Sequence, residues 1–96
     1  MNHEDLRVWQ EAIELVDCVY ELSANLPKDE RFGLVSQIQR AAVSIPGNLA
    51  EGCGRETTRD LLRFVAIARG SLAEVKTYLI IIERRQFAPL PAIATV

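Results

Sequence analysis

The sequence is poor in the residues that catalysis and metal binding draw on. It has one histidine, His3, and two cysteines, Cys18 and Cys53, with no paired motif between them. A di-iron site in a helical bundle needs Glu-x-x-His pairs facing inward, and none occurs here. Neither cysteine has a neighbouring histidine to serve as base. Gly52-Cys53-Gly54-Arg55 is glycine-rich, but no strand precedes it and no Lys-Ser/Thr follows. It reads as a helix stop and turn, not as a phosphate nest. We therefore expect no enzyme, no cofactor and no metal.

Charge of a single sign is also missing. Eleven Lys and Arg face thirteen Asp and Glu, a net charge of -2, so no global basic field draws the chain to nucleic acid. Long uncharged apolar runs are absent too. The most apolar stretch, Leu61 to Ile82, carries Arg63, Arg69, Glu74 and Lys76, which makes it a poor membrane span. Met1-Asn2-His3-Glu4-Asp5 has neither a basic n-region nor an apolar h-region. Two distant cysteines fit reduced thiols. These features predict a cytoplasmic protein with no membrane partner.

What is present is helical periodicity. With 96 residues, 49% of them hydrophobic, the chain fits a single domain, 1–96, able to bury a core. The spacing predicts helices over about 5–25, 30–53 and 58–85, with an irregular tail over 86–96. In the first, with Asp5 as N-cap, Leu6, Trp9, Ile13, Val16 and Tyr20 form a seam. Val8, Ala12, Leu15, Val19 and Leu22 form a second row beside it, so this helix faces two partners. In the second, Leu34, Ile38, Ala41, Ile45 and Leu49 share a face, and Pro46 predicts a kink. Thr57 and Asp60 resemble a capping box for the third. Its seam, Leu61, Val65, Ala68, Leu72, Val75, Leu79 and Ile82, keeps heptad register.

A second stripe on that helix, Leu62, Ala66, Ala73 and Ile80, points about a quarter turn away by angular count. Gly70 sits mid-helix, where it costs about 1 kcal/mol relative to Ala. Three long helices lack a fourth of matching length, and an open apolar groove is rarely tolerated by a soluble monomer. Together these predict an all-α helical bundle whose groove is covered by the tail, by another subunit or by a continuation of the chain. Its second stripe covers another helix of the same chain or a second copy. For self-association, Leu62, Ala66, Gly70, Ala73, Ile80, Val8, Leu15 and Val19 are the subunit-interface candidates. Along the edge of helix 2 a polar stripe, Gln37, Arg40, Ser44, Asn48 and Glu51, recurs at helical spacing and suggests a hydrogen-bonded layer between helices or subunits, the sharper alternative being the lining of a pore or ligand cleft. Arg55, Arg59 and Arg63, with Arg84 and Arg85 at the far end, are the candidate nucleic-acid contacts. No aromatic residue interleaves with them in this reading, so base stacking is not expected and nucleic acid is the less favoured partner.

Three segments then read together: Asp5-Leu6-Arg7-Val8-Trp9-Gln10, the run Gln37 to Gly52 containing Arg-Ala-Ala-Val-Ser-Ile-Pro and Ala-Glu-Gly, and Ile67-Ala68-Arg69-Gly70-Ser71-Leu72-Ala73-Glu74. They closely resemble the bacterial four-helix bundle family of 23S ribosomal RNA intervening-sequence proteins, over about residues 5 to 85. The resemblance implies an up-and-down antiparallel bundle assembling into a homopentamer, with no settled biochemical activity. A similar pentameric bundle, the basic accessory protein of diversity-generating retroelements, binds nucleic acid. Gln39 stands where the family commonly has a second arginine, and the family's fourth helix has no complete counterpart here.

Overall fold

The apolar repeats of the sequence become helices. The computed structural model describes residues 2–96, and Met1 lies outside the described residues. Four helices, α1 (Arg7–Ser23), α2 (Ser36–Cys53), α3 (Thr58–Arg84) and α4 (Leu90–Thr95), make up the fold. The described residues include no strand. The chain is all-helical, as its periodicity predicts.

Helix ends follow local chemistry, and the first differs from expectation. Asp5 does not cap α1. It lies in a single 3-10 turn, His3–Asp5, capped by Asn2, whose Oδ1 accepts from the Glu4 N–H at 3.0 Å. The polar cap therefore acts one turn early, and α1 begins after Leu6. α3 starts as predicted: Thr57 Oγ1 accepts from the Asp60 N–H at 3.1 Å. Changing Thr57 to Ala is expected to cost about 1 kcal/mol, read as a lower urea midpoint at unchanged slope. α3 ends in a Schellman closure. Gln86 turns left-handed at φ 56, its N–H donates to Glu83 O at 3.0 Å and that of Phe87 to Ile82 O at 3.1 Å. This returns Phe87 to the core.

α2 is not broken at Pro46. α2 runs regularly from Ser36 to Cys53 with Pro46 buried inside it. The irregularity lies earlier, in a wide π-type turn over Arg31–Val35, where Gly33 leaves helical geometry (φ -107, ψ -108). The tail is not irregular throughout either. Pro91 stands in the first turn of the short helix α4, where a backbone N–H has no helical acceptor to lose, and Ala92, Ile93 and Val96 pack against the core.

The core is built mainly on α2, where Ile38, Ala41, Ala42, Ile45 and Leu49 are buried. α1 contributes Ala12, Val19 and Leu22, so its second row faces inward and the first row lies at the edge, with Ile13 and Tyr20 exposed. Val19 is 0% exposed, a core residue and not an outer contact. α3 contributes Ala68, Val75 and Ile82, but Leu72 is exposed and Ser71 is buried in its stead. Ala68, Val75 and Ile82 keep the seven-residue step of the seam, and between the first two the contact line passes through Ser71, one position before Leu72.

α2 and α3 run antiparallel. Gln37 meets Tyr78, Ser44 meets Ser71, and Gly52 lies against Leu61 and Phe64. α2 packs extensively on α3 and less on α1, whereas α1 and α3 share few close approaches and are bridged at one end by α4. The molecule measures 44 × 20 × 18 Å, its long axis set by the 27-residue α3.

Candidate functional site

The polar stripe of α2 is bonded mostly along α2 and to α3. Ser44 Oγ and Ser71 Oγ lie 2.8 Å apart, and Asn48 Nδ2 donates both to Ser44 Oγ at 2.9 Å and to Ser44 O at 2.8 Å. This hydroxyl pair is the polar link at the centre of the α2–α3 contact. Tyr78 completes the layer at one end, its hydroxyl 3.0 Å from Gln37 Oε1 and 3.2 Å from Glu74 Oε2. Partial burial, then the hydrogen bond to Glu74 and that carboxylate's charge, push the phenol's pKa up. The neutral hydroxyl is favoured, so its contribution is lost only as pH rises through the folded-state value. At the other end Glu51 pairs with Arg55 at 2.6 Å. Arg40 is the exception. It is exposed and forms no ion pair with the described residues.

Sequence reasoning missed Ser71 and Tyr78. A signal was present, since Phe64, Ser71 and Tyr78 step by sevens beside the α3 seam. Ser71 was hidden because a serine inside an apolar pattern reads as surface.

The α3 stripe stays outside the core. Leu62 is 60% and Ile80 56% exposed, and Ala66, Gly70 and Ala73 on the same side are exposed. A Cβ built on Gly70 would meet nothing within 4 Å. The close backbone approach that a mid-helix glycine suggests is therefore not made inside the chain. On α1, Val8 is exposed and Leu15 is half-buried against the core.

The arginines separate into two places. Arg55 and Arg63 each hold a guanidinium 4.8 Å from the Phe64 ring centroid, so an aromatic residue does sit among them, contrary to expectation. Phe64 was overlooked because Arg55 lies on the other side of a turn. Both cations are locally balanced, Arg55 by Glu51 and Arg63 by Asp60 at 4.0 Å. Arg59 is exposed beside them. Arg84 and Arg85 lie at the far end of α3, roughly 35 Å away at ~1.5 Å per residue, with Arg85 5.7 Å from the Phe87 ring. One chain does not join the two groups into one site.

Among the described residues no group of three His, Cys, Asp or Glu side chains could hold a metal ion, and no helix is long and apolar enough to cross a membrane. The features that stand out are those of a helical protein with apolar helix faces left outside its core. The chain belongs to the 23S rRNA-intervening sequence protein family, whose pattern matches residues 4–93. No curated protein matches the chain.

Proposed function

We propose that this protein works by self-association, as a cytoplasmic, non-enzymatic scaffold or interaction module built from up-and-down helical bundles. The observation that carries the reading is Gly70. It sits mid-helix within an exposed apolar stripe, and nothing in its own chain needs its missing side chain. A glycine there costs about 1 kcal/mol of helix stability, a cost that close approach of a second copy along Leu62, Ala66, Ala73 and Ile80 would explain. The family resemblance makes a pentameric ring the expected assembly.

Light scattering coupled to size exclusion, at two protein concentrations, tests this directly. A stable mass near five subunits is expected. A single-chain mass of 10.7 kDa at both concentrations would sink the proposal. Gly70→Ala sharpens it: the added methyl is expected to shift the assembly toward smaller species. If the variant only gains about 1 kcal/mol of stability at unchanged mass, Gly70 is not at a contact.

A second reading, nucleic-acid binding, has one observation in its favour: the Arg55–Phe64–Arg63 stack beside Arg59 joins cations to an aromatic face. Repeated around a ring, these arginines would form a positive band. Excess absorbance at 260 nm in the same chromatogram would promote it.

A further inference from the structure

A separate groove, with no residue of α3 in its lining, runs between the end of α1, the wide turn and α2 and has a volume of about 790 Å³. Two guanidiniums line it, those of Arg31 and Arg40, and no Asp or Glu does. Neither arginine forms an ion pair with the described residues. In a chain of net charge -2, an acid-free groove with two unneutralised cations is a local arrangement, not an average of the surface.

Two aromatic rings share the groove, Tyr20 at 49% and Phe32 at 89% exposed. A phenylalanine left so far in water forgoes about 1.5–3 kcal/mol of burial. The Arg31 guanidinium lies 5.4 Å from the Phe32 ring centroid, a cation–π contact that sets the ring beside a charge. Phe32 also borders a neighbouring groove lined by Lys28 and Arg31, again without an acid. A third depression, holding Arg40 and Glu74, meets it on the side of α3. Phe32 thus stands as an exposed flat ring with Lys28, Arg31 and Arg40 around it and Glu74 on the side of α3, and Ser36 and Gln39 add hydrogen-bonding groups to the groove lining.

We propose that this groove binds a nucleotide unit, its base against Phe32 and its phosphate between Arg31 and Arg40. A purely apolar occupant would cover the ring but strip water from two guanidiniums without replacing their partners, which is costly. A plain anion would satisfy the guanidiniums and leave the ring idle. A nucleotide answers both: guanidiniums pair bidentately with phosphate oxygens, and base–aromatic stacking contributes about 1–3 kcal/mol. A free nucleotide and one unit of a single strand share this chemistry. The groove is complete within one chain and the inference does not rest on self-association, nor on the arginines around Phe64.

The test is an NMR titration of the ¹⁵N-labelled full chain at low salt with three probes: adenosine monophosphate, ribose 5-phosphate, and a single-stranded oligoadenylate of about eight nucleotides. Saturable shifts of amides around Gly33, Ser36 and Val43 are expected with the monophosphate or the oligonucleotide, and binding of ribose 5-phosphate about tenfold weaker or less. Phe32→Ala and Arg40→Gln, both at exposed positions, should each weaken binding about tenfold, the equivalent of ~1.4 kcal/mol, with helical circular dichroism retained. Tighter binding of the oligonucleotide than of the monophosphate assigns the groove to a strand, and equal binding assigns it to the free nucleotide. The proposal is overturned if neither nucleotide probe shifts these amides, if ribose 5-phosphate binds as well as the monophosphate, or if the shifts map to Arg59 and Phe64 and survive both substitutions.

Discussion

Replacing Leu62 and Ile80 together with glutamate is expected to reduce the solution mass to a single chain while leaving the helical circular dichroism unchanged. The two side chains are 60% and 56% exposed within the chain and lie on one side of α3, about five turns apart at ~3.6 residues per turn. In the isolated chain the change is a surface substitution, which typically alters stability by no more than about 0.5 kcal/mol. Within a contact between copies each carboxylate would be desolvated without a partner, at an effective penalty of several kcal/mol. The same substitutions are therefore nearly silent in a single chain and disruptive in an assembly. Light scattering reads the mass, and a multimer that survives both glutamates would mean that copies meet through another face.

Ile38→Ala is the second large effect. Ile38 is 0% exposed and lies on the buried face of α2. Truncating it removes apolar contact and leaves a cavity, a loss of about 2–5 kcal/mol. For a domain of this size each kcal/mol moves Tm by about 4–8 °C, so the melting temperature should fall by roughly 8–40 °C. Val43→Ala on the same helix is the control: Val43 is 47% exposed, and its truncation should change single-chain stability by only about 0.5 kcal/mol. Both melts belong at one fixed protein concentration, because association itself raises the apparent Tm. Equal shifts for the two variants would mean that the outer face of α2 is as well packed as its inner one.

Much of this fold was legible from periodicity. The buried face of α2, Ile38, Ala41, Ile45 and Leu49, is the face that its spacing predicts, and Thr57 caps α3 as its sequence suggests. The α1 rows illustrate where periodicity stops. Two adjacent apolar rows are equivalent to a helical wheel, and only contact with α2 decides that Ala12, Val19 and Leu22 turn inward. Pro46 and Gly33 illustrate a different gap. Proline signals a missing donor, yet α2 continues across Pro46, whereas Gly33 in an unremarkable run takes the backbone out of helical geometry. Candidate-site residues were harder to read. Phe64 meets Arg55, and Tyr78 meets Gln37, only after the chain folds back on itself.

The central place of α2 has a consequence for how the sequence can vary. α1 and α3 share few close approaches, and the six-residue α4 is a slender bridge between them. Each outer helix can therefore accept substitutions without requiring a matching change in the other. A residue of α2 has no such latitude, because it answers to a neighbour on each side. In a collection of relatives, paired substitutions should link α2 to α1 and α2 to α3, and the outer helices should drift independently of one another.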